Sequence, residues 1–222
     1  MVGDFDQGRG RLVKTKQRIA DHGEVFTPPD IVSAMLDLVK AQSERIDARF
    51  LEPACGEGNF LKQVLVRKLN TVQKRYSKNE FERRHYALVA LMSIYGIELL
   101  EDNIKLCRDG MATIFMRYID DSADTLWIRA AQKVLEINIV QADALTMKKN
   151  SGDPITFPEW GYLGKGKFQR RDFKYDNLTR RSSFAETLFD ALETHDIFVP
   201  QENYRPMTVV EIADDEVVRC FS

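Results

Sequence analysis

Three short stretches of this sequence end in residues that suit three parts of one ligand. Glu52-Pro53-Ala54-Cys55-Gly56-Glu57-Gly58-Asn59-Phe60 follows the apolar approach Phe50-Leu51 and precedes Leu61, Val64, Leu65 and Leu69 at helical spacing. Strand, glycine turn and helix are the natural reading of that order. Gly56 and Gly58 carry no Cβ and let the backbone come close to a ligand, while the first turn of the following helix offers N–H groups to a carboxylate. Glu52 is suited to meeting a positive charge, which a phosphate-binding loop has no reason to do. A Gly-Lys-Ser/Thr ending is absent from the turn, which disfavours a nucleoside triphosphate.

The second stretch is Ser93-Ile94-Tyr95-Gly96-Ile97-Glu98. An acid at such a strand end accepts hydrogen bonds from both hydroxyls of a ribose. It comes later in the chain than the roughly 20 residues of a minimal dinucleotide unit, and an intervening helical segment accounts for the delay. At the third, Leu135 to Gln141 reads as a strand ending at Ala142-Asp143, where Asp143 can accept from the exocyclic amine of an adenine and Ala142 and Ala144 leave room for its ring. One nucleoside with a carboxylate and a cationic centre would span all three.

The elements that must position these residues alternate. Thr27 before Pro28-Pro29 predicts an N-cap and a helix whose buried face carries Ile31, Met35, Leu36, Leu38 and Val39. Residues 71–92 predict a further helix, and helical patterning resumes through Leu106 and Met111. The succession β, α, β, α, β implies an α/β class with a doubly wound, mostly parallel sheet and ligands outside the carboxyl ends of its strands. Beyond residue 146 the pattern weakens, and residues 147–181 read as a loop or insertion. Ser183 with Glu186 predicts a capped helix, and Asp196 to Val199 a further short strand.

Composition narrows the class. A chain of 222 residues, 44% hydrophobic, can bury the core of a single domain. The sequence predicts a basic arm over 1–24 and one domain over 25–222. The longest apolar stretch, Tyr86 to Leu100, contains Gly96 and Glu98 and is too short to span a bilayer core of roughly 30 Å. With no secretory signature at Met1 to Asp6, a cytoplasmic location is expected. Cys55, Cys107 and Cys220 lie far apart without zinc spacing, so neither a disulfide framework nor a metal site is expected. Net charge is −2, yet residues 9–18 carry Arg9, Arg11, Lys14, Lys16 and Arg18 without an acid. Lys167-Phe168-Gln169-Arg170-Arg171-Asp172-Phe173-Lys174-Tyr175 interleaves cations with aromatics, a combination that suits either a nucleic acid or a segment with its rings buried.

The sequence resembles the N6-adenine DNA methyltransferases of restriction-modification systems. Gly23-Glu24-Val25-Phe26-Thr27-Pro28 is similar to that family's cofactor-flanking segment, and Glu52 to Phe60 to its Asp/Glu-Pro-Ala-Cys-Gly-x-Gly-x-Phe signature. Tyr95 to Glu98 and Gln141-Ala142-Asp143-Ala144-Leu145 match the next two cofactor elements, so the likeness covers residues 22–146. It implies a Rossmann-like methyltransferase fold that binds S-adenosylmethionine. By that likeness Phe26 and Thr27 touch the methionine portion, Gly56 forms the turn, Glu98 holds the ribose and Asp143 the adenine amine. Glu52, Ala54, Gly58, Asn59, Phe60 and Ala144 complete the expected cofactor set.

The chain departs from the family at the catalytic step. The family holds the target amine and stacks the flipped base with Asn/Asp/Ser-Pro-Pro-Tyr/Phe/Trp, and no such tetrapeptide occurs here. Phe157-Pro158-Glu159-Trp160 and Gln201-Glu202-Asn203-Tyr204 are degenerate candidates, the second with Gln201 and Tyr204 as amide and aromatic. Two readings follow from the resemblance: a DNA adenine-N6 methyltransferase or modification subunit, and a catalytically inactive S-adenosylmethionine-binding subunit or regulator working with a partner protein.

Overall fold

The computed structural model describes residues 27–119, 125–175, 200–215 and 219. Helices α1 (Pro29–Leu38) and α2 (Lys40–Ser43) lead into β1 (Phe50–Glu52). Helices α3 (Asn59–Tyr76) and α4 (Glu80–Met92) connect β1 to β2 (Ile94–Glu98), and α5 (Glu101–Ile119) and α6 (Thr125–Asn138) connect β2 to β3 (Ile139–Asp143). Then come β4 (Lys148–Lys149), β5 (Thr156–Gly164), β6 (Lys167–Lys174), β7 (Glu202–Asn203) and α7 (Val209–Ala213).

Among the described residues the main sheet has the order β1-β2-β3-β4, with β1, β2 and β3 parallel and β4 antiparallel. The molecule is therefore mixed α/β with a mostly parallel sheet. Both crossovers step the same way across it, and crossovers of one hand then leave their helices on one face. The packing agrees. Ile94 and Ile139 share a buried cluster with residues of α1, α3, α4, α5, α6 and α7, whereas the alternate positions Tyr95, Ile97, Val140 and Ala142 cluster with Ile155 and Phe157. Helices on both faces are what a doubly wound sheet predicts; among the described residues the second face is covered instead by the start of β5.

Local chemistry explains most boundaries. Asn79 caps α4 by accepting the Glu82 N–H at 3.1 Å, which is why residues 71–92 break into two helices. Gly58 stands before α3 with φ +79°, a left-handed conformation that favours glycine. The third strand starts later than predicted. Ala131, Val134, Leu135 and Asn138 are buried at helical spacing, so α6 runs to Asn138 and only Ile139 onward is extended.

Two expectations for α1 are corrected. Pro28, not Thr27, occupies the N-cap position, without a side-chain cap bond. The helix buries Val32 and Leu36, while Ile31, Met35, Leu38 and Val39 are exposed. The helix forms, but the face carrying Val32 and Leu36 is the one that meets α3.

Residues 156–174, within the stretch 147–181 expected as a loop or insertion, form a β-hairpin extended by β7 into a three-stranded sheet. Its aromatics are core: Phe168 and Phe173 are buried, and Phe168, Tyr162 and Trp127 surround His85. Trp160 Nε1 donates to Asn138 Oδ1 at 3.0 Å, and Asn138 Nδ2 donates to the carbonyls of Met92 and Ile94 at 3.0 Å each. The hairpin is thus fastened to the amino ends of β2 and β3. Phe26, the basic arm and the segments predicted at 183–192 and 196–199 lie outside the described residues.

Candidate functional site

Parallel pairing brings the three predicted strand ends to one edge of the sheet. Glu52 is in register with Gly96, and Glu98 with Gln141, two residues before Asp143. The turn after β1 is pinned to β2 by its backbone: Cys55 N–H donates to the Ile97 carbonyl at 3.0 Å, and Gly58 N–H closes back on the Cys55 carbonyl at 2.8 Å.

The glycines of the turn have different reasons. Gly56 has φ +53° and nothing within 4 Å of where a Cβ would stand, so the left-handed backbone alone calls for glycine and the space above it is open. Gly58 has φ +79°, and a Cβ there would fall 2.3 Å from Cys107 Sγ. Close packing of α3 against α5 therefore adds to the backbone requirement.

The carboxylates of Glu52 and Glu98 are unequal. Glu98 is 9% exposed and well supplied with donors: Gly56 N–H to Oε2 at 2.7 Å, Leu100 N–H to Oε1 at 3.0 Å and Asn103 Nδ2 to Oε1 at 3.4 Å. Glu52 has a buried Oε2 with no hydrogen-bond partner among the described residues. Burial, and then the charge of Glu98, push the Glu52 carboxyl up to about 7. A buried acceptor without a donor is costly unless a donor arrives, and a cationic or N–H-bearing ligand group is what this one calls for.

Asp143 stands at the third strand end, its Oδ1 accepting the Leu145 N–H at 2.8 Å. That backbone bond, first among its causes, holds its carboxyl below the usual range. Hydrogen bonds from the Thr146 side chain and backbone act the same way, so it stays ionised. Ala144 is half-buried, while Leu99 and Leu145, next to the two acids, are exposed apolar side chains. Of the remaining expected residues, Thr27 and Ala54 are exposed, and Asn59 and Phe60 are half-buried in the first turn of α3. Cys55 is buried, and its hydrogen bond to Cys107 and its burial push the thiol far up, so it stays a protonated packing group.

Gln201 and Tyr204 are not brought to this group. Gln201 N–H bonds the Asp172 carbonyl at 2.8 Å, and Tyr204 is buried, its hydroxyl 3.2 Å from Asp172 and its ring 4.6 Å from the Arg170 guanidinium. Arg170 also lies over Trp160, which meets Asn138 at the amino end of β3. The pair therefore belongs to the end of the sheet opposite Glu52, Glu98 and Asp143. In the other degenerate candidate, Phe157 is buried beneath the second face and the Pro158 carbonyl accepts from Tyr95 Oη at 2.8 Å.

Sequence reasoning missed Asn103 and Cys107. Both reach the site from one stripe of α5, a placement no local motif announces.

A family model described as N-6 DNA Methylase matches residues 12–156. Among curated proteins, the chain is 26% identical over 186 residues to the Type II methyltransferase M.BstVI of Geobacillus stearothermophilus, covering 81% of this chain and 30% of that protein. The chain thus spans about a third of the relative's length. No solved structure matches.

Proposed function

The chain belongs to the N-6 DNA methylase family, and on that premise we propose that it binds S-adenosylmethionine at the carboxyl ends of β1, β2 and β3 for transfer of a methyl group to adenine N6 in DNA. The observation that carries this reading is the buried Glu52 oxygen, without a donor among the described residues, set beneath a positive-φ glycine turn and beside a Glu98 held by three donors. The residues present fit that cofactor. Glu52 would meet its positive charge, Gly56 and the first turn of α3 its carboxylate, Glu98 a ribose hydroxyl and Asp143 the adenine amine, with Ala54, Gly58, Asn59, Phe60 and Ala144 shaping the surround. Phe26 and Thr27 are assigned to the methionine end by the family likeness alone. We further propose that the sheet belongs to the Rossmann-like methyltransferase fold.

When bound, S-adenosylmethionine supplies an electrophilic methyl on sulfonium. What the chain contributes is placement: the turn would hold the carboxylate, Glu98 and Asp143 the nucleoside, and Glu52 would supply the counter-charge.

A second reading is a cofactor-binding subunit whose acceptor-holding group comes from another polypeptide. It is favoured by the location of Gln201 and Tyr204 within the second sheet, away from the cofactor residues. Calorimetry with S-adenosylmethionine tests the shared premise: saturable binding that disappears in Glu98→Ala with Asp143→Ala is expected, and its absence in the wild type defeats both readings. Labelled methyl transfer to mixed-sequence DNA by the chain alone separates them, incorporation at adenine N6 favouring the first and none, despite cofactor binding, the second.

A further inference from the structure

Helix α5 buries one stripe at a spacing of four: Asn103, Cys107, Met111 and Phe115. Three of these suit an apolar interface, and the fourth is an amide only 1% exposed. Burying an amide is costly unless it is used, and an apolar side chain would serve the stripe better. Its Nδ2 lies 3.4 Å from Glu98 Oε1. The other two donors to this carboxylate, Gly56 N–H and Leu100 N–H, are backbone groups whose positions follow from the chain path. Asn103 is the side chain among them.

A carboxylate offers about four acceptor positions. Among the described residues, Leu100 and Asn103 take the two on Oε1 and Gly56 takes one on Oε2, so a single position remains. We infer that Asn103 is a positioning residue for the nucleoside half of the cofactor: by occupying Oε1 it fixes the Glu98 carboxylate and leaves Oε2 to receive one ribose hydroxyl. This rests on the cofactor reading above and sharpens it, because two ribose hydroxyls on Glu98 are replaced by one.

The test is calorimetry with S-adenosylhomocysteine and its 2′-deoxy and 3′-deoxy counterparts, on wild type, Asn103→Leu and, as a packing control on the same stripe, Met111→Leu. In the wild type, one deoxy compound is expected to bind about tenfold or more weakly and the other within about threefold of the parent. In Asn103→Leu the parent weakens by about tenfold, as for other outer partners of a binding group, and discrimination between the two deoxy compounds falls below about threefold. Met111→Leu keeps it. Folding is checked by circular dichroism, and Asn103→Ser, which retains a smaller donor, replaces the leucine variant if that one does not fold; its discrimination is expected to fall as well. A folded Asn103 variant with undiminished discrimination overturns the inference while leaving the cofactor reading intact. Equal losses for both deoxy compounds in the wild type overturn the single-hydroxyl assignment, and no saturable binding by the wild type overturns both.

Discussion

The backbone N–H of Gly56 donates to Glu98 Oε2 at 2.7 Å, so the turn after the first strand is held by the last residue of the second. Glu98→Ala removes that acceptor and strands the Gly56 and Leu100 N–H groups. A stability loss of roughly 1–3 kcal/mol is expected from denaturant titration, together with loss of S-adenosylmethionine binding by calorimetry. Glu98→Gln keeps an acceptor for the turn, so its stability loss should be the smaller of the two.

Glu52 gives a pH signature. Its folded-state value of about 7 lies above the ordinary 4.5, so the folded protein binds the extra proton between those limits. The stability this proton contributes is complete below pH 4.5 and is lost as pH rises through 7. Glu52→Gln should therefore flatten the slope between pH 4.5 and 7 and, above pH 7, exceed wild type by at most about 3 kcal/mol in urea titrations. The same variant should bind S-adenosylmethionine at least about tenfold more weakly, since the counter-charge is gone.

Lys68 works in the next window. It is fully buried, donating to the carbonyls of Ile46 and Ala48 and to Ser93 Oγ, and burial lowers its ammonium to about 7 from an ordinary 10.5. Between those values the unfolded chain carries the proton and the folded one does not, so stability rises from pH 7 to 10.5. Lys68→Met is expected to abolish that rise. It also takes the Lys68 donor from the Ala48 carbonyl, while the Ile46 carbonyl keeps the Ser93 hydroxyl at 3.1 Å, so chemical denaturation at pH 7 should show a loss of roughly 1–3 kcal/mol.

Gly58→Ala combines a left-handed backbone with a Cβ 2.3 Å from Cys107 Sγ. A loss of roughly 2–4 kcal/mol is expected by thermal or urea unfolding. Adding Cys107→Gly relieves the contact but not the backbone strain, so the double variant should recover less than the whole deficit.

The gathering of the three strand ends was legible because their residues are local in sequence. Glu52, Gly56, Glu98 and Asp143 each sit where an apolar run meets a turn, and parallel pairing then gathers those ends without further instruction. Asn103 and Cys107 were not legible, since they reach the site through the packing of α5 on α3, and packing partners leave no spacing in a single sequence. The hairpin was not legible for a related reason: Phe168 is buried and Trp160 and Tyr162 half-buried against helices distant in sequence, and interleaved cations and aromatics suit a nucleic acid as well as buried rings. Tyr204 shows the same limit. Its type suggested base stacking, and its surroundings, Arg170 and Asp172, supply a structural use instead.

Asn138 has one more consequence. One amide joins the amino ends of β2 and β3 to Trp160 of the hairpin, so neither sheet can open at that point without stranding polar atoms of the other. The two sheets should then behave as one cooperative unit. In native-state hydrogen exchange the amides of Ile97 and Phe168 would report a common opening free energy, and in Asn138→Ala the hairpin would exchange first and by itself.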